Sequence, residues 1–191
     1  IDLYRIYAAE GPEGTSRDAI DLRLGALQRA KEQGKVRAVG LAAHDQSIAA
    51  AVLRAHAELD YVMFPYNFRH RKLLADGADP ALAPAPAETD SASVPADTGY
   101  RDCTLVPCPD PGFATLVAQR NLGLIAIKPF GGGGLLRLQP SDPRLQPLAA
   151  AGVSLPQAAL AFILQAPQIA SAIPAMSSIA EVVQNVAAVQ G

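Results

Sequence analysis

Cysteine is scarce in this chain: Cys103 and Cys108, in "CTLVPC", are the only two. Two thiols supply neither the four thiolates of an iron–sulfur cluster nor a zinc-ligand set, so no metal is expected. They read as loop thiols, with a redox pair across the short loop as the alternative. No apolar run reaches the roughly 18 to 20 residues that a membrane crossing needs, so no membrane partner is expected. The N-terminus has neither the basic nor the apolar region of a secretory signal, and the expected location is cytoplasmic. Charge of one sign is not in excess either. With 16 Lys and Arg against 18 Asp and Glu, no basic surface for nucleic acid is indicated. An initiator methionine is missing as well. Ile1 opens directly in "IDLYRIY", an apolar segment that reads as a strand, so the sequence is expected to be a piece of a longer protein.

What is present is enough for one medium domain or most of one: 191 residues, half of them apolar, can bury a sizeable core. After the first strand, Ile20, Leu24 and Leu27 fall at helical spacing, with Thr15 and Asp18 placed like a capping box and Gly34 as the stop. "KVRAVGL" reads as a second strand, and "HDQSIAAAVLRAHAEL" as a helix with Asp45 as N-cap. "DYVMFPYN" is a third strand. From Arg69 to about Asp110 the periodicity fails in an Ala/Pro/Asp/Ser-rich stretch that reads as a surface insertion, either a lid over a site or plain disorder. Its "RHRK", Arg69 to Lys72, is either a solvated cluster or an attractor for an anionic substrate. Order resumes with a short helix from Phe113 to Arg120, the strand "GLIAIKPF", a helix from Ser154 with Pro156 in its first turn, the strand "IASAIP" and a last helix. Five alternations of strand and helix argue for parallel strands with helical crossovers, an α/β sheet or barrel. In that class the chemistry gathers at the C-terminal strand ends.

Two strand ends stand out. "KPFGGGG", Lys128 to Gly134, puts bare backbone after a buried strand. Such backbone permits positive φ and lets N–H groups approach an anion, with a hinge or tight turn as the alternative. The spacing matches neither G-x-G-x-x-G nor the P-loop. In "AIPAMSSIAEVVQN", Ser177 and Ser178 precede a helix N-terminus that can seat an anion. A capping box of Ser178 with Glu181 explains the same residues without a ligand.

Taken together and in order, "IDLYRIY", "EQGKVRAVGLAAHD", "DYVMFPYN", "GLIAIKPFGGGG" and "SAIPAMSSIAEVVQN" resemble the fourth to eighth strands, with their loops, of the aldo-keto reductase family. The bacterial branch with KPFGGG-like motifs is the most similar. The resemblance implies a partial TIM (β/α)8 barrel of about five βα units, forming one domain over residues 1–191 with an insertion at 69–110. It also implies binding of NADPH or NADH in extended form across the C-terminal face. Lys128, Pro129, Phe130, Gly131 and Gly132 would then lie along the pyrophosphate. Pro174, Ala175, Met176, Ser177 and Ser178, with Glu181, Gln184 and Asn185, would hold the adenosine end. Asn185 matches the asparagine that bonds adenine.

The departures are equally specific. The aspartate, tyrosine and lysine of the family's catalytic set lie on segments before the fourth strand and are absent here. At the end of the fourth strand, where the family histidine orients the carbonyl, stands Tyr7. It is either a hydrogen-bond donor to a carbonyl, weak as an acid with a reference pKa near 10, or an aromatic plug. The groups that grip the nicotinamide carboxamide are replaced by Ala42, Ala43 and Met63, for which His44 and Asp45 can substitute only if their loop turns inward. Ile127 stands where many members stack an aromatic ring. Ala175 replaces a glycine, and Glu181 replaces an arginine often set against the 2′-phosphate, which leans towards NADH. His56 and His70 have no evident partners. The implied function is hydride transfer from NAD(P)H to a small carbonyl substrate by the parent protein, with the isolated chain inactive. The alternative is a non-catalytic nucleotide-binding or interaction relative. Five strands of eight leave open edges, through which self-association is expected.

Overall fold

A computed structural model of the chain describes residues 1–8, 16–67, 112–138, 141 and 143–189. The insertion at 69–110, with both cysteines, the "RHRK" run and His70, lies outside the described residues, as does Thr15.

The chain alternates strand and helix: β1 (Leu3–Ala8), α1 (Arg17–Glu32), β2 (Ala38–Ala43), α2 (Gln46–Ala55), β3 (Tyr61–Pro65), α3 (Phe113–Gln119), β4 (Gly123–Ile127), α4 (Gln146–Ala150), α5 (Leu155–Leu164), β5 (Ile169–Ile173) and α6 (Ile179–Val186). The strands form one parallel sheet in the order β1-β2-β3-β4-β5, as expected of five consecutive units of a (β/α) barrel.

Local chemistry fixes most boundaries. Asp45 caps α2 by accepting from the backbone N–H of Ser47 and Ile48, and Ser154 with Gln157 forms a reciprocal capping box on α5. The N-cap of α1 is Ser16, whose hydroxyl accepts from the Ala19 N–H, rather than the Thr15 expected from spacing. Gly34, at φ +71°, follows the end of α1 as foreseen. Helix α4 was not foreseen; its five residues carry no buried side chain and so give no periodic signal.

Alternation along the strands sorts the side chains into two layers. Ile6, Ala8, Val39, Leu41, Ala43, Val62, Phe64, Leu124 and Ala126 face the helices and join Ile20, Leu24, Leu53, Phe113 and Ile163 in the main core. The opposite face carries a smaller apolar cluster of Ala42, Tyr61, Met63 and Ile125. Gly40 belongs to that face because the Tyr61 ring lies over it; a Cβ there would stand 2.4 Å from the ring.

Polar contacts tie the helices to the sheet. The Asp60 carboxylate accepts from Lys31 at 2.6 Å and from the Val39 N–H at 2.8 Å, joining α1, β2 and the start of β3. His56 is not without partners. It ends α2 with its two ring nitrogens each 3.0 Å from a carboxylate, of Asp21 and of Glu58. The Arg120 guanidinium donates to the carbonyls of Leu53, His56, Ala57 and Leu59, closing the C-terminal end of α2.

Candidate functional site

Because all five strands are parallel, their C-terminal ends share one rim. Ile127 of β4 is in register with Ile173 of β5, so the glycine loop and the Pro174–Ser178 segment leave the sheet side by side. Tyr7, one residue short of the end of β1, lies on the far edge strand, four strand spacings from β5 or about 19 Å along the sheet. A single ligand touching both ends of the rim must therefore be extended.

The glycine loop is built tightly. Lys128 has φ +53°, a left-handed conformation that costs a non-glycine residue on the order of 1 kcal/mol. Its carbonyl is held from two sides, by the Gly131 N–H at 2.9 Å and by Asn67 Nδ2 at 3.0 Å. Asn67 is only 2% exposed and stands just beyond β3. A second tie, from the Tyr66 N–H to the Ile127 carbonyl, joins the same two loops. Phe130 turns its side chain into a cluster with Leu135, Ala159 and Leu160, so it offers the rim main chain only. Pro129 is buried too.

The run from Gly131 to Arg137 is tightly turned, with a kink where Gly131, Gly132 and Gly133 take positive φ. These three therefore need glycine for backbone reasons. Gly134 does not. It lacks positive φ, and a Cβ built on it meets nothing within 4 Å. Its bareness serves no contact within the chain, which fits a backbone kept clear for a ligand.

Beyond β5, Ser178 caps α6 through its hydroxyl, which accepts from the Glu181 N–H at 3.2 Å. The Glu181 carboxylate reaches back mainly to Ser177, accepting from its N–H at 2.5 Å and from its hydroxyl at 3.1 Å, with the Ser178 N–H a weaker partner. Those Ser177 bonds hold its pKa below the ordinary carboxylate value. The chain thus places an anion of its own at the helix N-terminus. Ala175, Met176, Ser177 and Ser178 are exposed, Pro174 and Gln184 half-buried, and Asn185 buried.

At the other end of the rim the groups are side chains already engaged with one another. The Tyr7 hydroxyl lies 3.2 Å from His44 Nδ1, with the rings edge to face. Burial, and then the charge of Lys128, push the His44 pKa down from 6.5. Asp45 is spent on its cap. Ala42 and Met63 lie in the small apolar cluster with Ile127 against it, whereas the Ala43 side chain, at the end of β2, is turned into the helix-side core. Among the described residues no group of three His, Cys, Asp or Glu side chains can hold a metal ion, and no helix is long and apolar enough to cross a membrane.

Sequence reasoning missed Asn67 as a loop clamp and His44 as the partner of Tyr7. The first had a signal, a lone amide closing the apolar "VMFPYN" segment. The second had none, because only the strand register brings the two together.

A five-stranded, all-parallel sheet with sequential order, helix-covered on one face and carrying its polar groups at the C-terminal rim, defines part of a (β/α)8 barrel. No protein-family model matches the chain, and no curated protein matches it. Solved structures are similar over its whole length, and they are aldo-keto reductases. One, from Klebsiella pneumoniae and in complex with NADPH, shares 21% identity at a TM-score of 0.61, covering 100% of this chain and 53% of that one. Another, from Brucella melitensis, shares 16% at a TM-score of 0.62, covering 100% and 56%. The AKR11C1 enzyme from Bacillus halodurans shares 18% at 0.58, covering 100% and 56%. The chain has the fold of these enzymes and spans about half their length.

Proposed function

We propose that this chain is the coenzyme-binding part of an NAD(P)H-dependent oxidoreductase of aldo-keto reductase type. In the parent protein it acts on an aldehyde, a ketone or a comparable carbonyl. The observation that carries the reading is the adjacent pair of loops after β4 and β5. Side-chain-free backbone at Gly131 to Gly134, with the Gly131 and Gly133 N–H groups bonded inside the turn, leaves the sheet beside the Ser177–Ser178 segment, a surface that the pyrophosphate and adenosine ends of an extended dinucleotide can approach closely. The fold of an NADPH-bound relative supports it.

In this reading Lys128 adds positive charge to the cradle, Gly132 contributes its main-chain N–H, Gly131 keeps its own on the Lys128 carbonyl while leaving the backbone uncovered, and Asn185 and Gln184 lie on the adenosine side. When bound, the coenzyme supplies the hydride. Tyr7 offers a phenol hydrogen to the carbonyl oxygen, and Ala42, Met63 and Ile127 give the nicotinamide an apolar floor without gripping its carboxamide. Glu181 turns a carboxylate towards the place of a 2′-phosphate, which favours NADH over NADPH. The remaining catalytic groups belong to segments outside this sequence. The open edges β1 and β5, with Tyr4, Tyr7 and Ile173 exposed, support self-association of the chain.

The test is titration of the chain with NADH and NADPH, following reduced-nicotinamide fluorescence. Saturable binding of at least one is expected, and no binding of either overturns the proposal. A second reading, a non-catalytic nucleotide-binding relative, is favoured by the apolar character of Ala42 and Met63. It gains if the whole protein binds the coenzyme yet consumes none with aldehydes or ketones.

A further inference from the structure

Helix α6 carries its apolar side outward. In α1 the apolar residues at helical spacing, Ile20 and Leu24, are the buried ones. In α6 the corresponding stripe of Ile179, Val182, Val183 and Val186 is exposed, by 83% at Ile179 and 64% at Val183, and the one buried residue is Asn185. The helix rests chiefly on α5 and on the 3-10 turn that follows it, Ala187–Val189.

Topology explains the stripe. In a run of parallel βα units each helix lies across its own strand and the next, as α1 packs on both β1 and β2. Helix α6 follows β5, which is an edge of the sheet, so no next strand lies under it. At the other edge β1 has the converse lack. Tyr4 shares the helix-side face of β1 with the buried Ile6 and Ala8, yet it is 48% exposed. One end of the sheet is a helix with no strand beneath it, and the other is a strand with no helix over its outer side. Both edge strands also present unpaired backbone N–H and C=O groups.

We propose that the apolar stripe of α6 and the free edge of β5 are a docking surface for the β1 edge of a second copy of this chain. In that contact β1 of the copy pairs parallel to β5, with its Tyr4 beneath the stripe. The proposal rests on the self-association through open edges proposed above and names its mode. A second copy is the occupant because its β1 edge supplies what the surface lacks, a strand in the same direction with an apolar side chain on the helix side. Two α6 helices meeting face to face would cover the stripe but leave every sheet edge unpaired. Glu181, Gln184 and Asn185 lie on the other side of α6 from the stripe, so the docked copy leaves the residues assigned to the adenosine end uncovered.

Sedimentation equilibrium of the chain tests this. The wild-type chain should self-associate between about 1 and 100 µM. Tyr4→Glu and Val183→Glu change exposed positions and leave the core intact. Each should weaken association by on the order of tenfold or more, because the charge would be set against apolar surface. Mixed in equal amounts, the two variants should regain a pair, since the intact α6 of one still accepts the intact β1 of the other. Leu22→Glu, 72% exposed on the solvent side of α1, should change nothing. A wild-type chain that stays monomeric overturns both the docking and the self-association, and leaves the surface to another occupant such as further segments of the parent protein. Association that survives Tyr4→Glu, falls equally with Leu22→Glu, or fails to return on mixing overturns the docking alone. Hydrogen exchange on the wild-type chain needs no variant to fold: amides of Leu3–Ala8 and of Ile169–Ile173 should both gain protection as concentration rises, and a gain at one edge only, or at neither, contradicts the proposal. Failure here leaves the dinucleotide titration untouched, and failure of that titration leaves these results standing.

Discussion

The two ends of the rim hold their polar groups differently. After β4 and β5 they are main-chain amides and serine hydroxyls, some of them bonded within the chain (Gly131 to Lys128, Gly133 to Phe130, Ser177 to Glu181) and set by backbone conformations that the chain enforces at some cost, as at Lys128. After β1 and β2 they are side chains, and these already bond each other: Tyr7 to His44, and Asp45 to its own helix. A main-chain cradle depends on conformation and tolerates changes of residue type that keep it. A side-chain constellation depends on each residue in turn. The coenzyme end of the proposed site is therefore recognisable in this sequence, while the carbonyl end is rebuilt from other residues.

The contrast can be broken from the main-chain side first. Gly132→Val forces a β-branched residue into the φ +67° region on an exposed turn and should weaken dinucleotide binding by on the order of tenfold or more in the fluorescence titration. Gly134→Ala sharpens the point. The position has ordinary backbone and open space, so the melting temperature should hold while affinity falls; unchanged affinity would mean that nothing approaches that backbone.

Asn67→Ala tests the clamp beneath the loop. It removes one of two donors to the Lys128 carbonyl from a buried position, and chemical denaturation should show a loss of about 1–3 kcal/mol. Affinity should fall with it, since Lys128 is then less firmly held in its left-handed conformation.

A smaller effect is expected at Glu181. Its carboxylate bonds Ser177, and under the proposed coenzyme binding it would also face a 2′-phosphate, so one residue can serve as cap and as selector. Glu181→Arg should raise the NADPH-to-NADH affinity ratio by roughly tenfold. An unchanged ratio would leave the residue as a cap alone.

How much was legible in the sequence follows the range of the interactions. Elements with local signals were readable: Asp45 and Ser154 as caps, Gly34 as a stop, and the apolar strands whose order placed the rim. Ser178 was readable as a cap, but the additional and stronger bonds of Glu181 to Ser177 depend on rotamers that spacing does not encode. The glycine run was readable as bare backbone but not as a kinked turn with three left-handed residues, because four glycines permit many conformations and Phe130 buries its ring with Leu135 in only one of them. Three other features were hidden by distance along the chain. Tyr7 meets His44 only through the pairing of β1 with β2, Asn67 meets Lys128 only through that of β3 with β4, and His56 meets Asp21 only through packing of α2 near α1.

The central claim concerns main-chain amides, and they can be observed directly. Amide proton–nitrogen correlation spectra of the chain, recorded without and with saturating NADH and then NADPH, should show the largest shifts at Gly131 to Gly134 and at Ser177 and Ser178. If a coenzyme binds and leaves those amides unmoved, or if neither coenzyme moves any amide at the rim, the account is wrong.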